Sequence, residues 1–474
     1  MNKEELQKGY FELFPGGYFE IPARRLVAFW VAKGLVKEDE KRTQEEVAYE
    51  YLSKLIDRNM IQVVQRKPNG DIKTCCLPSV LRELLLRDKG TNSTTRSCYR
   101  RSILFFDSRE GNKPGDEIGE FLRRGIAYGF FGKLEVLDLE LLFKPKVPKT
   151  IGKLKKLKYL GLRWTYIETI PETIGKLENL ETLDLKNIDV RTLPSSIWKL
   201  KNLRHLYLNQ NCLIKFPHLQ SAIFMKNLQT LSGVLMDKAN LVNYRLDKLV
   251  VLRKLVLAFQ LGVPEQKVLA KWIEKLTHLQ SLTLTSINEK GAPQPLKLKP
   301  LSKLEQLSSL HFLGRLEKSD RVINELPKSL THITFSATEI EEVSMPMLGK
   351  LPKLKSLSLI SGSYQGTDII FSKDDFPQLF VLKLWNLNSL KKLDVEKGAM
   401  RNLRELEIRS CSNLETTTGL THLKILQEIK LTNMPKKCTD DIVNNFATAV
   451  AQSAGKIHSP AIKIEYSKSC QMKL

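Results

Sequence analysis

Residues 134–139 read LEVLDL, and the same leucine spacing returns in LKYLGL from Leu157, LETLDL from Leu180 and LRHLYL from Leu203. Each copy begins 23 residues after the one before it. The last two leucines of LxxLxL alternate with other residues, so on a short β-strand they lie on one side. One strand cannot bury that side alone, and the repetition therefore predicts strands stacked over a continuous core.

Looser copies of the pattern continue towards the C-terminus, and RSILFF around Ile103 resembles a degenerate earlier copy. Three early copies share a proline that starts the turn away from the strand, at Pro148, Pro171 and Pro194. We identify an α/β leucine-rich-repeat solenoid of about thirteen repeats. The thirteen copies begin at Leu134, Leu157, Leu180, Leu203, Leu228, Leu252, Leu279, Leu307, Leu330, Leu354, Leu379, Leu403 and Leu426.

The first 90 residues follow a different pattern. IPARRLVAFWVAKGLV predicts a helix that starts near Pro22 and stops near Gly34. TQEEVAYEYLSKLIDRNM begins with a capping box from Thr43 to Glu46. IQVVQRKPNGDIKTCCL predicts two strands joined by a turn at residues 68–70. Helices followed by a β-hairpin indicate a small winged-helix-like α+β module.

These patterns divide the chain into four parts. We predict the winged-helix-like module over residues 1–90 and a polar, turn-rich linker over 91–103. The solenoid then occupies 104–438, and a C-terminal cap occupies 439–474. The cap contains TDDIVNNFATAVAQ, whose helical spacing suits an element that covers the end of a solenoid.

The net charge of +23 raises nucleic acid or an acidic membrane surface as partners. Residues 1–90 hold 16 Lys/Arg and 14 Asp/Glu, a net of +2, so +21 belongs to residues 91–474. The module therefore offers little phosphate neutralisation, which argues against winged-helix binding to DNA. The notable excess lies in the solenoid, where most of it falls outside the strand face.

The cysteine pattern and the hydropathy of the sequence indicate the cellular compartment in which we expect the protein. Seven cysteines, an odd number, of which Cys75 and Cys76 are adjacent and the rest scattered, do not form a disulfide framework and fit a reducing environment. The sequence shows neither a secretory signal nor an uncharged apolar run of about 20 residues. We expect a cytoplasmic protein without a transmembrane segment, with nuclear or peripheral membrane association left open. Metal-binding spacings of Cys and His are missing, so no metal site is predicted.

The concave face of the solenoid is the side of the strands opposite the leucine core, and its residues flank the paired leucines. With Glu428 and Lys430 included, its charged positions are six acidic and six basic, which suits a protein partner better than nucleic acid. Aromatic residues on such a face are of the kind that anchor interfaces. The candidate protein-binding residues are Asp138, Glu140, Tyr159, Arg163, Asp184, Lys186, His205, Tyr207, Asn209, Lys254, His311, Lys383, Trp385, Glu405, Glu407 and Arg409.

Three segments resemble plant intracellular immune receptors of the coiled-coil, NB-ARC, leucine-rich-repeat class. YFELFPGGYFEIPARRLVAFWVAKGLV, residues 10–36, is similar to the segment FLYLxLFPEDYEIPxRRLIxLWVAEGF of that family. AYEYLSKLIDRNMIQVV, residues 48–64, resembles AExYLxELIxRxLIQV. SLKKLDVEKGAMRNLRELEIRSCSNLE, residues 389–415, resembles the closing repeats of the family. The resemblance implies a disease-resistance protein truncated to its winged-helix and repeat regions.

The family binds ADP or ATP through a GxxxxGK[ST] loop, which this sequence does not contain. In the family, TCRVHDLLREL places a His-Asp pair against the nucleotide. Here TCCLPSVLREL has Pro78 in the place of the histidine and Ser79 in that of the aspartate. Proline offers neither a side-chain donor nor an amide N–H. We expect no cofactor, and ADP or ATP only if a nucleotide-binding domain is encoded upstream.

The resemblance implies a non-enzymatic plant defence protein whose repeats bind proteins. Its expected partners are a pathogen effector, a guarded host protein or the nucleotide-binding domain of a receptor, and no small-molecule substrate. Two alternatives remain open. The chain is a fragment of a complete ADP/ATP-switched receptor, or it is an inert truncated product. No nucleophile, base and orienting group converge at a recognisable spacing, so an enzyme is not predicted.

Overall fold

A computed structural model describes residues 20–37, 39, 42–67, 70–76, 78, 97–99, 101–105, 112–208, 214–215, 225–241, 246–297, 301–452 and 459–466. The chain divides into two compact units. Unit 1 comprises residues 1–235 and 242–252, and unit 2 comprises residues 236–241 and 253–474.

Unit 1 begins with the winged-helix module. Its helices are α1 (Ala23–Ala32) and α2 (Gln44–Asp57), and its three strands are β1 (Ile21–Pro22), β2 (Gln62–Arg66) and β3 (Ile72–Cys76). The strands form an antiparallel sheet in the order β1-β3-β2. The helix–helix–hairpin order predicted from the sequence is therefore confirmed.

Local signals set the ends of the two helices as predicted. Pro22 is the N-cap of α1, and Gly34 follows the helix with a φ of +68°, a left-handed conformation that glycine adopts without a side-chain penalty. At the start of α2 the hydroxyl of Thr43 accepts the Glu46 N–H at 3.2 Å, and the Glu46 carboxylate accepts the Thr43 N–H at 2.7 Å. Trp30 fills the centre of the module core and is fully buried.

The rest of unit 1 is built of repeats. β4 (Ser97–Tyr99) runs antiparallel to β5 (Ser102–Leu104), and β5 starts a parallel series. That series continues through β6 (Val136–Asp138), β7 (Tyr159–Gly161), β8 (Thr182–Asp184), β9 (His205–Tyr207) and β11 (Thr230–Asp237), with β10 (Ile214–Lys215) beside β11. The degenerate copy near Ile103 is thus a strand of the sheet, and residues predicted as a linker over 91–103 include strand positions.

Short helices return the chain from one strand to the next. α3 (Asn112–Ala127) precedes β6. Pro148, Pro171 and Pro194 are the N-caps of 3₁₀ helices, as the predicted turns require. Proline suits this position because its fixed φ favours the extended cap and no N–H is needed there. The 3₁₀ helices of unit 1 span Lys149–Lys153, Glu172–Lys176, Ser195–Lys199 and Leu246–Lys248.

Unit 2 continues the parallel pattern, with leucine or another large apolar residue buried at alternate positions. Its main sheet contains β12 (Lys254–Gln260), β13 (Ser281–Ser286), β15 (Ser309–Leu313), β17 (His332–Ser336), β18 (Ser356–Ile360), β20 (Val381–Trp385), β22 (Glu405–Arg409) and β24 (Glu428–Thr432). All thirteen predicted copies therefore contribute strands. Smaller parallel pairings join β14 (Pro295–Leu296) to β16 (Arg315–Leu316), and β19 (Asp368–Phe371) to β21 (Lys392–Val395) to β23 (Thr416–Thr418).

The helices of unit 2 connect these strands and close its C-terminal end. They are α4 (Lys238–Leu241), α5 (Val263–Ile273), α6 (Ser319–Asn324), α7 (Ser344–Gly349) and α8 (Lys436–Gln452), with a 3₁₀ turn at Leu420–His422. Helix α8 contains the stretch predicted as a cap and buries Ile442 and Phe446. After it the chain returns to the sheet as β25 (Ala461–Glu465), which pairs in parallel with β24.

Candidate protein-binding surface

The concave face of unit 1 is occupied by the winged-helix module. The side chains of β6 to β9 that point away from the leucines include Asp138, Tyr159, Asp184 and His205. All four are buried, with Asp138 at 0% exposure and Asp184 at 1%. Sequence reasoning places them on an open protein-binding face, whereas in the structure the first protein surface they meet belongs to their own chain.

Two consecutive arginines of α1 provide the charged half of this contact. Arg24 donates from Nη1 to Oδ2 of Asp184 at 3.0 Å and from Nη2 to Oε1 of Glu140 at 3.4 Å. Arg25 pairs with the Asp138 carboxylate, and its Nε lies 3.4 Å from Oε2 of Glu140. A cationic pair on one helix turn thus meets three carboxylates from β6, β8 and the loop after β6.

Gly161 makes room for this ionic network. Strand register places it on β7 directly between Asp138 on β6 and Asp184 on β8. A Cβ atom at position 161 would approach Oδ1 of Asp138 to 2.5 Å and the Tyr159 ring to 2.9 Å. The missing side chain leaves the Asp138 carboxylate free of this clash.

The network also uses bonds within the repeats. Arg163 donates from Nε and Nη2 to Oδ2 of Asp184 at 3.0 and 2.9 Å, so Asp184 is shared between Arg163 and Arg24. Oδ1 of Asp138 accepts the backbone N–H of Glu140 at 3.0 Å, and Oδ1 of Asp184 accepts that of Lys186 at 3.2 Å. Buried carboxylates with several donors are held in place, as buried charges require.

Burial and the neighbouring charges shift the pKa values of Arg24 and Glu140 in opposite directions. Burial works to lower the pKa of Arg24, but the carboxylates of Asp184 and Glu140 outweigh it and raise that pKa above its ordinary value. Burial raises the pKa of the Glu140 carboxyl, and the charge of Arg25 offsets only part of that effect. Burial also raises the pKa of Tyr159 well above its ordinary value, so its phenol stays neutral.

An apolar contact lies beside the ionic network. The rings of Phe29 on α1 and Tyr159 on β7 meet edge to face, with centroids 4.9 Å apart and an interplanar angle of 80°. Ala32, Leu104 and Val136 complete the cluster, and both rings are almost fully buried. An edge-to-face pair of this kind stabilises by about 0.5–1.5 kcal/mol beyond the burial of its area.

The first turn of α2 makes a second polar contact, with the fourth strand of the LxxLxL series. Oε1 of Glu45 lies 3.1 Å from Nε2 of His205, and Oε2 accepts from Nη2 of Arg204 at 2.7 Å. Nδ1 of His205 lies 3.0 Å from Oγ1 of Thr230 on the next repeat. Burial opposes ionisation of Glu45, but the His205 bond and the Arg204 charge lower its pKa overall.

A cavity of about 670 Å³ with mixed polar and apolar lining lies where the module meets the edges of these repeats. Val31, Gly34 and Val36 line it from the module. The repeats contribute amide, cationic and acidic side chains, among them Lys158, Glu181, Asn202, Arg204 and Gln229. Arg204 is paired with Glu45 and Glu181, and Nζ of Lys158 lies 3.8 Å from Oε1 of Glu181, so these charged side chains of the lining all have partners.

The candidate residues in unit 2 have more open surroundings. Lys254, Glu405 and Arg409 are exposed, while His311, Lys383, Trp385 and Glu407 are half-buried. Lys383 pairs with Glu407 at 2.7 Å. Burial lowers the pKa of His311, which faces Thr283 and Thr334 across the sheet.

The remaining candidates are placed as follows. Arg163, Lys186 and Tyr207 are half-buried in unit 1, and Lys186 lies over the Tyr207 ring at 5.6 Å. Asn209 and Ser79 lie outside the described residues. Pro78 is half-buried and follows β3 after one undescribed residue.

Sequence reasoning missed the module side of the interface. Arg24, Arg25, Phe29 and Glu45 bind the repeats but were assigned only to helices. A signal was available, because IPARRLVAFW places two arginines next to each other in an otherwise apolar helix without an acidic residue to pair with them. Such a pair requires an acidic partner from elsewhere in the fold.

Two further features of the described residues bear on metal binding and membrane insertion. No cluster of three or more His, Cys, Asp or Glu side chains that could hold a metal ion occurs among them. None of the described helices combines the length and apolar character needed to span a bilayer.

Comparison with known families matches both parts of the chain. A family described as "Leucine-rich repeat region" matches residues 126–461, and one described as "Disease resistance protein Winged helix domain" matches residues 13–85. Neither of these regions is a catalytic domain.

Individual relatives agree with these matches. The chain is 29% identical over 430 residues to disease resistance protein RPP13 of Arabidopsis thaliana, covering 86% of this chain and 48% of that protein. It is 26% identical to probable disease resistance RPP8-like protein 2 of the same plant, covering 92% of this chain and 51% of the relative. The chain therefore spans about half the length of these curated relatives.

Among solved structures, the Leptospira interrogans leucine-rich-repeat protein LIC12759 is similar at 21% identity with a TM-score of 0.36. The alignment covers 66% of this chain and 82% of that one.

Proposed function

Because the chain belongs to the plant disease-resistance proteins and contains their winged-helix and leucine-rich-repeat regions, we propose that it is a recognition protein of plant immunity. In this proposal the concave face of unit 1 holds the chain's own module, and that of unit 2 binds a second protein. The partner is a pathogen effector, a guarded host protein or the nucleotide-binding domain of a receptor. The protein acts by binding rather than by catalysis.

The observation that carries the proposal is the protein contact already present on the repeats. The module reaches the concave face through paired charges and an aromatic anchor, Phe29 on Tyr159. Aromatic and arginine anchors of this kind dominate the energetics of protein–protein interfaces. Unit 2 presents the same chemistry at Trp385 and Arg409 on a face of mixed charge.

The test is capture of partners from plant tissue with matched variants of the full chain. We expect proteins crosslinked to the wild type to be lost from a variant with His311→Asp and Lys383→Glu on the unit 2 face. The control is Lys424→Glu. Lys424 is exposed and lies just after the 3₁₀ turn Leu420–His422, and this variant should retain the crosslinked proteins. The same proteins on all three chains would show that the unit 2 face does not bind them.

A second candidate, a nucleotide-dependent role, is favoured by the match to the winged-helix domain of the family. Pro78 supplies no hydrogen-bond donor, so this role requires groups from elsewhere. Binding of ADP to the purified chain, measured by calorimetry with and without Pro78→His, tests it directly. A measurable affinity of the wild-type chain would replace the first proposal.

A further inference from the structure

Two cationic side chains, those of Lys383 and Arg409, lie near the ring of Trp385. Trp385 ends β20, and the Nζ of Lys383 lies 5.1 Å from the centroid of its ring. The Cζ of Arg409, which pairs with Trp385 across to β22, lies 5.8 Å from the same centroid. Both distances are within the range of a cation–π contact.

The two cations differ in whether they are neutralised. Lys383 forms an ion pair with Glu407 at 2.7 Å, and both side chains are largely buried, at 18% and 21% exposure. Arg409 is exposed and has no ion pair in the part of the chain that the structure describes. Its guanidinium is therefore ordered on an aromatic ring while its N–H donors stay available.

The two positions directly beside Arg409 in the strand register are not acidic. The neighbouring position on β24 is Thr432, and the position on the far side of Trp385 is Ile360 of β18. Glu405 is on the same strand as Arg409 but four residues away, about 13 Å along an extended chain. Glu407 is two residues from Arg409 on the same face of β22, but its carboxylate is paired with Lys383 at 2.7 Å.

We propose that Trp385 and Arg409 together bind a carboxylate of the protein partner, an Asp or Glu side chain that is flanked by an apolar residue. The proposal rests on the proposed function and names the chemistry of the partner segment. Arg409 donates two parallel N–H bonds to the carboxylate, the arrangement for which a guanidinium is preorganised. Ile360 and the open part of the Trp385 ring pack on the apolar neighbour.

Trp385 itself supplies a further reason for an acceptor at this place. Its indole N–H is covered and has no hydrogen-bond partner among the residues that the structure describes. Buried tryptophan N–H groups usually donate a hydrogen bond to an acceptor, because a buried donor without a hydrogen bond has an energetic cost. A carboxylate bound beside the Trp385 ring would bring an acceptor close to this N–H.

The experiment selects ligands from a random peptide library displayed on phage, using the full purified chain. We expect the enriched peptides to share an acidic residue beside a large apolar one. Charge reversal by Arg409→Glu should weaken individual acidic peptides about tenfold to a hundredfold in calorimetry, the usual worth of a charge-assisted pair. Selection on this variant should shift towards basic peptides.

Arg404→Glu is the matched control. Arg404 is also exposed and also lies over an aromatic ring, that of Phe380 at 5.3 Å, but it precedes the same strand at the opposite end. Acidic peptides should bind this variant as they bind the wild type. If Arg404→Glu and Arg409→Glu weaken the binding of acidic peptides equally, the effect comes from net charge alone and the proposal is wrong.

The two proposals fail in different ways. Reproducible peptides without an acidic residue, lost in the variant with His311→Asp and Lys383→Glu but unchanged by Arg409→Glu, would overturn the anchor and leave the binding face in place. If selection yields no peptide that binds any unit 2 position, both the anchor and the protein-binding role of this face are wrong.

Discussion

The Nη1 atom of Arg24 lies 3.0 Å from Oδ2 of Asp184, although 160 positions separate the two residues in the sequence. This bond joins the first helix of the module to the third strand of the LxxLxL series. Together with the Arg25 pairs it makes the winged-helix module part of the same compact unit as the early repeats.

Removing the Arg25 charge should destabilise this interface strongly. Arg25→Met leaves the carboxylates of Asp138 and Glu140 buried with one fewer counter-charge, a change that costs about 3–5 kcal/mol in buried ion pairs. Native-state hydrogen exchange of the β6 and β7 amides measures the loss. Arg42→Met removes exposed pairs with Asp39 and Glu50, which solvent screens, and should have a much smaller effect. Similar effects of the two changes would contradict the buried network.

Phe29 and Tyr159 should be energetically coupled. Phe29→Leu and Tyr159→Leu each remove one ring of the edge-to-face pair, and the double variant removes the pair itself. A double-mutant cycle on the stability of unit 1 should give a coupling of about 0.5–1.5 kcal/mol. Strict additivity would show that the rings merely fill space.

Gly161→Ala should disturb the docking of the module through the Asp138 carboxylate. The new methyl group would lie 2.5 Å from Oδ1 of Asp138, and overpacking in a tight site costs about 1–3 kcal/mol. Faster hydrogen exchange in α1 as well as β7 would report the effect. Gly132→Ala is the control, because its nearest contact is an ordinary 3.4 Å. If the α1 amides of the Gly161→Ala variant exchange as in the wild type, Gly161 does not affect the docking of the module.

The Glu45 contact should weaken in acid. The folded pKa of Glu45 is lowered, so its contribution to stability is present above its unfolded pKa of about 4.3 and is lost as pH falls through the folded value. Hydrogen exchange at the start of α2 should show this loss between about pH 6 and about pH 3, a range that brackets the ordinary glutamate pKa of about 4.3. Glu45→Gln should flatten the dependence. A variant that keeps the full pH response would assign it to another group.

His311 should destabilise unit 2 on acidification. Burial lowers its folded pKa below the unfolded value of about 6.5, so between the two values the unfolded chain binds more protons. Stability is therefore present above about pH 6.5 and falls as pH decreases towards the folded pKa. Exchange of the β15 amides measures it, and His311→Gln should remove this part of the dependence. An unchanged slope in the variant would be inconsistent with a buried neutral imidazole.

Much of the fold followed from local sequence patterns. LxxLxL predicted all thirteen strands because alternation along an extended chain decides which side chains can be buried. Pro148, Pro171 and Pro194 marked their turns, and Thr43 with Glu46 marked the start of α2, because these signals act within a few residues. The same alternation places Asp138 and Trp385 opposite the core, whereas the binding of a partner protein at such positions stays a prediction.

The sequence by itself determined the repeats, the module and the positions on the concave face. Only the tertiary structure decided which of those positions are open. Arg24 and Arg25 reach Asp184 and Asp138 over more than 110 residues of chain, a pairing that no local pattern encodes. Charge complementarity and the fit of Phe29 on Tyr159 close the face in unit 1, and they exist only when the strands are stacked in register. Arg409 keeps its donors available for the same physical reason, because register sets Thr432 and Trp385 beside it rather than a carboxylate.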